Sequence, residues 1–78
     1  MTTTEDEYRE IFGVTAGHRL TLTRHKSRSA GVEDMEFDEH DATGALVAKY
    51  HWWDRPFQND SGWTKADAQG NLLRQVRL

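Results

Sequence analysis

The chain carries one pattern twice, and that repetition limits its fold more than any other feature. Residues 37–52 read FDEHDATGALVAKYHW, and residues 63–78 read WTKADAQGNLLRQVRL. In each copy an aromatic residue (Phe37, Trp63) precedes an aspartate (Asp41, Asp67) by four places. Alanine, glycine and leucine then follow at matching positions: Ala42, Gly44 and Leu46, and Ala68, Gly70 and Leu72. The shared Asp-Ala-x-Gly-x-Leu meets the demands of a three-residue hairpin loop, a type I turn closed by a left-handed residue. Aspartate opens such a turn because its carboxylate accepts backbone N–H bonds two residues on. Glycine closes it because φ is positive there and a Cβ would clash. Two β-hairpins are expected, with turns at 41–44 and 67–70.

These turns resemble those of YD-repeat shells and other small β-hairpin arrays, a likeness of about six residues per copy that turn chemistry alone produces. Two copies make no array, and no family membership follows from them.

The loop predicts a register in which His40 opposes Leu46, Glu36 opposes Tyr50 and Phe37 opposes Lys49. Strand alternation over 45–53 sends Leu46, Ala48, Tyr50 and Trp52 to one face, assigned to the core. Val47, Lys49, His51 and Trp53 fall on the other. Carried across both hairpins, the first face gains Leu72, Val76 and Leu78, and the second gains Met35, Phe37, Trp63 and Leu73. Trp52 is therefore expected in the core and Trp53 at a surface or interface.

Upstream, Leu20 and Leu22 alternate with Arg19, Thr21 and Thr23, as in a half-buried strand. A turn cluster at 27–31 leads to a further strand over 32–40. Residues 18–28 hold four cations (Arg19, Arg24, Lys26, Arg28) and no carboxylate, while residues 33–41 hold six carboxylates and no cation. Antiparallel pairing would lay the basic strand against the acidic one, with Arg24 expected near Asp34. At the N-terminus, Tyr8, Ile11 and Phe12 at helical spacing before Gly13 favour a short helix over 5–12. A further hairpin about 15–18 is the alternative. The fold class predicted is mostly β: a small antiparallel meander of about five strands with two DAxG-turn hairpins, curled or barrel-like, with a short N-terminal helix.

At 78 residues the chain is one small β domain, 1–78, burying only about 60% of the surface its unfolded form exposes. It has no cysteine, so neither disulfide nor thiolate chemistry is open to it. The polar, acidic start MTTTEDEYRE does not read as a secretory leader, and the expected location is the cytoplasm. The four histidines (His18, His25, His40, His51) lack the tight spacing of a metal site. His40 and His51 are predicted to face opposite sides. No nucleophile elbow or phosphate loop occurs. No catalytic residue, metal or cofactor is assigned, and an enzyme is not expected.

A sheet apolar on both faces, with one short helix, leaves a face for another chain to cover. The leading expectation is a small non-enzymatic interaction module, a homodimer or the binder of a protein partner, with His51, Trp53, Phe57 and Trp63 as its contact surface. Phe57 belongs to the aperiodic loop 54–61, where packing back against Trp53 is favoured over open exposure. The alternative is single-stranded nucleic-acid binding through the basic strand (Arg19, Arg24, Lys26, Arg28) and exposed tryptophans. The net charge of −3 weighs against it, because an acidic domain repels a polyanion unless its basic patch stands apart. Membrane binding is not expected.

Overall fold

A computed structural model describes residues 4–78. One helix, α1 (Thr4–Phe12), precedes five strands: β1 (Arg19–Ser27), β2 (Glu33–His40), β3 (Leu46–Arg55), β4 (Asp60–Asp67) and β5 (Leu72–Arg77). They form one antiparallel sheet in sequence order, with β1 and β5 at its edges. The sheet is a meander that stays open rather than closing into a barrel.

The helix at the N-terminus is as the spacing predicts. It closes at Gly13, whose N–H donates to Glu10 O at 3.3 Å while Val14 N–H donates to Arg9 O at 3.0 Å, the paired bonds of a Schellman end. Tyr8 and Phe12 then reach down onto the sheet. Phe12 stacks on Tyr50 at 4.4 Å and 9°, and meets Phe37 edge-on at 5.4 Å and Trp63 at 5.0 Å. Met35, Ala48 and Leu20 complete the buried cluster, with Leu22, Trp52 and Val76 packed against it.

Both Asp-Ala-x-Gly segments are hairpin turns. Gly44 and Gly70 have φ of 90° and 89°, and each donates its N–H to the aspartate carbonyl three residues back at 3.0 Å. Asp41 Oδ1 accepts from Thr43 N–H at 2.9 Å and Ala45 N–H at 3.1 Å. Asp67 Oδ1 accepts from Gln69 and Asn71 N–H, both at 2.9 Å. The Thr43 hydroxyl on Asp41 and the Asn71 amide on Asp67 hold both carboxyls below the usual carboxylate range, though both lie open to water.

The repeat extends beyond the turn. His40 opposes Leu46 as predicted, but Glu39 opposes Ala48, so Val47 bulges out of the ladder. In the second hairpin Ala66 opposes Leu72 and Lys65 opposes Arg74, so the equivalent Leu73 bulges. The bulge at Val47 corrects the register predicted for the first hairpin, and the one at Leu73 that of the second. Glu36 faces His51 and Phe37 faces Tyr50, not Tyr50 and Lys49. A one-residue slip exchanges faces. Met35, Phe37 and Trp63, assigned to the second face, all lie in the core beneath α1. His40 and His51 share the helix-free face instead of lying opposed.

Two further corrections concern single aromatic residues. Trp53 does face away from the core, as alternation requires, yet it is buried, at 7% exposure. Its indole lies on Gly62, opposite it on β4, where a Cβ would stand 3.1 Å from the ring and 2.3 Å from Val76 O. Glycine makes the seat. Phe57 does the reverse: rather than packing on Trp53 it is 81% exposed.

Candidate functional site

The helix-free face carries a groove of about 430 Å³ lined by Arg24, Lys26, Arg28, Val32, Asp34, Glu36, His51 and Arg55. Register explains its composition. Arg24 opposes Glu36 and Lys26 opposes Asp34 across β1–β2, and Glu36 opposes His51 across β2–β3. The basic and acidic strands are therefore neighbours, as expected, but Arg24 pairs with Glu36 (3.4 Å) rather than Asp34. Asp34 instead takes His51 Nε2 at 3.1 Å and Arg55 at 3.7 Å. Lys26 and Arg28 make no ion pair among the described residues. Arg24–Glu36 is solvent-exposed and is worth at most about 1 kcal/mol, whereas Asp34 is half-buried between its two partners.

A second hollow of about 370 Å³ continues from the first, sharing Arg28, Val32 and Arg55 and ending at Phe57 and Gln58. Phe57 is presented by a 3₁₀ turn, Pro56–Gln58. Asn59 ends that turn with φ 50° and donates its N–H to Pro56 O at 3.2 Å. Pro56 in turn lies beside Gly31 of the facing loop. The trough thus runs from cationic side chains to one open aromatic ring.

Charge is unevenly shared between the two sides of the sheet. Seven cations (Arg19, Arg24, Lys26, Arg28, Lys49, Arg55, Arg77) stand on the helix-free face or its rim, against four carboxylates (Asp34, Glu36, Asp38, Asp60). The remainder holds three cations (Arg9, Lys65, Arg74) and nine carboxylates (Glu5, Asp6, Glu7, Glu10, Glu33, Glu39, Asp41, Asp54, Asp67). One side is net positive in a chain of net charge −3.

Of the predicted contact residues, His51 and Phe57 line this trough. Trp53 lies beside His51, ring to ring at 5.6 Å, with its indole N–H donated to Asp60 at 3.2 Å. Trp63 belongs to the core and is withdrawn from the surface. Of the basic strand, Arg24, Lys26 and Arg28 reach the groove, and Arg19 stands at the far end of the same face.

The core face holds a polar cluster that sequence reasoning missed. Glu39 is buried at 3% exposure and accepts from the Tyr50 hydroxyl and from His18 Nδ1, each at 2.6 Å. Burial works to raise the Glu39 pKa, but the bonds from Tyr50 and His18, with Lys65 nearby, outweigh it and lower the value. Burial and the same carboxylate push the Tyr50 phenol upward. Arg9 donates to the His18 carbonyl, tying α1 to this cluster. The signal is parity: Glu39 shares alternation with Met35 and Phe37, although it also belongs to the acidic block.

Comparison with known protein families, curated proteins and solved structures finds no match. Among the described residues no helix is long and apolar enough to cross a membrane.

Proposed function

We propose that this is a small non-enzymatic binding module that takes single-stranded nucleic acid on its helix-free face. The observation that carries the reading is the segregated positive charge around a trough ending at the open ring of Phe57. Lys26 and Arg28, free of ion pairs among the described residues, supply phosphate contacts. Phe57 and His51 offer flat surfaces on which bases stack, and such stacking needs no particular sequence. Asp34 and Glu36 on the floor accept hydrogen bonds from base amino groups, as carboxylates do from cytosine.

Self-association through an apolar sheet face has less support, since Met35, Phe37 and Trp63 lie under the helix. Titration of a fluorescent oligonucleotide tests the proposal. Affinity should fall steeply with salt, with a log–log slope of about −0.7 per phosphate contacted. Lys26→Glu with Arg28→Glu should weaken binding more than tenfold, and Phe57→Ala should weaken it with the slope unchanged. No binding at low salt would overturn the reading.

A further inference from the structure

The two edges of the sheet are unlike. On β1 the Leu22 N–H donates to the Glu5 carboxylate of α1 at 3.4 Å, and the ladder with β2 is broken by a bulge at Thr23. Irregularity and a covering side chain are how proteins close an edge to further pairing. β5 also carries a bulge, at Leu73 beside its turn, but among the described residues no side chain bonds the backbone of 74–78 on its outer side. Among the described residues the ring contacts of the helix end at Trp63 of β4. Leu72, Leu73 and Leu78 are 62%, 57% and 71% exposed, a dense apolar display for so short a segment.

Hydrogen-bond parity says which backbone groups of β5 are free. Leu78 N–H donates to Ser61 O at 3.0 Å, and Trp63 opposes Val76 and Lys65 opposes Arg74 in the same phase. Bonded pairs alternate along an antiparallel ladder. The N–H and C=O of 74, 76 and 78 therefore face β4, and those of Gln75 and Arg77 face outward.

We propose that two copies of the chain pair antiparallel through β5, about a twofold axis at Gln75, to form one ten-stranded sheet. The parity at Gln75 is the one a bonded pair with its own copy requires. In this register Arg74 opposes Val76 of the partner subunit and Arg77 opposes Leu73 of the partner subunit, so no two arginines meet head-on. The Leu72–Leu73 end of one strand runs alongside Leu78 of the partner subunit. Centring the pair on Arg77 would set that residue against its own copy, which like-charge repulsion disfavours. The axis is normal to the sheet, so both helices lie on one side and both positive faces on the other. With β1 closed, assembly stops at two rather than growing into a fibre.

Light scattering on the full chain, without nucleic acid, tests this across micromolar to millimolar concentration. The mass should rise to twice the 9.0 kDa monomer. Gln75→Pro removes an N–H that points away from β4, and proline is tolerated at such edge positions. It should halve the mass while leaving the far-ultraviolet circular dichroism unchanged. Should that variant unfold, Leu73→Arg decides: it places a third arginine opposite Arg77 and should shift the dissociation constant upward more than tenfold. A wild-type chain that is monomeric throughout, or a folded Gln75→Pro or Leu73→Arg dimer of undiminished affinity, would overturn the proposal. These outcomes leave the nucleic-acid reading untouched.

Discussion

The two hairpins begin from nearly the same instructions and end in different surroundings. Both turn at Asp-Ala-x-Gly, both place a glycine near φ 90°, and both bulge three residues later, at Val47 and Leu73. Both also bury the aromatic residue that precedes the turn, Phe37 and Trp63. Beyond that they part. In β3, Ala48 and Tyr50 are buried and Trp52 is packed against the core. Their counterparts in β5 are Arg74, Val76 and Leu78: Val76 packs against the core, Arg74 lies over the Trp63 ring at 5.4 Å, and Leu78 is 71% exposed. The lesson is that the local code sets turn and bulge, while burial depends on where the helix lies. Even the core-facing pair Glu39 and Lys65 sits at equivalent repeat positions, with opposite charge.

The largest test of this contrast is truncation in the core. Phe37→Ala, at a fully buried site, should cost about 3–5 kcal/mol, enough to unfold a domain of this size. Leu73→Ala on the outer strand should change the stability of the monomer by no more than about 0.5 kcal/mol. Denaturant melts of dilute protein measure both. Comparable losses would mean that β5 is as deeply integrated as β3.

Next in size comes Glu39. Its pKa is lowered in the folded state, so its contribution is complete above the ordinary carboxylate range and is lost as pH falls through the folded value. Glu39→Gln should cost about 1–3 kcal/mol at neutral pH, through the loss of bonds to an ionised acceptor. The deficit should shrink on acidification, as the wild type loses the same charge. A deficit that is constant down to acid pH would show that the carboxylate is not the source.

The smallest effect addresses the turns. Gly44→Ala and Gly70→Ala should each cost about 1 kcal/mol, because a Cβ is strained at positive φ. Neither site meets a neighbouring atom within 4 Å, so the strain is purely local and the two losses should agree. Unequal losses would show that the surroundings intrude on one of the turns.

The turns, the meander and the N-terminal helix were legible because each rests on contacts close in sequence. So was the placement of Trp52 and Trp53 on opposite faces, since adjacent strand residues cannot share one, although the burial of Trp53 was not. What went wrong has one main source. Bulges at Val47 and Leu73 each add a residue that no propensity marks, the first exchanging the faces assigned to Met35 and Phe37 and the second the face assigned to Trp63. The trough was half legible. Its cations stood in a visible block, but which of them gather, and that Phe57 closes the far end, depends on β2 and on the loop that follows β3.

By itself, then, the sequence determined the local geometry: where the chain turns, which strands neighbour one another, and that basic and acidic segments lie side by side. These follow from bonds spanning a few residues, whose energetics do not consult the rest of the molecule. The tertiary structure decided what is buried. Trp53 is covered because Gly62, nine residues away in sequence, leaves its backbone bare beneath the indole. Glu39 is held ionised in the core because Tyr50 and His18 converge on it from other strands and loops. Burial is set by the atoms that arrive from elsewhere in the chain, and only the folded arrangement says which atoms those are.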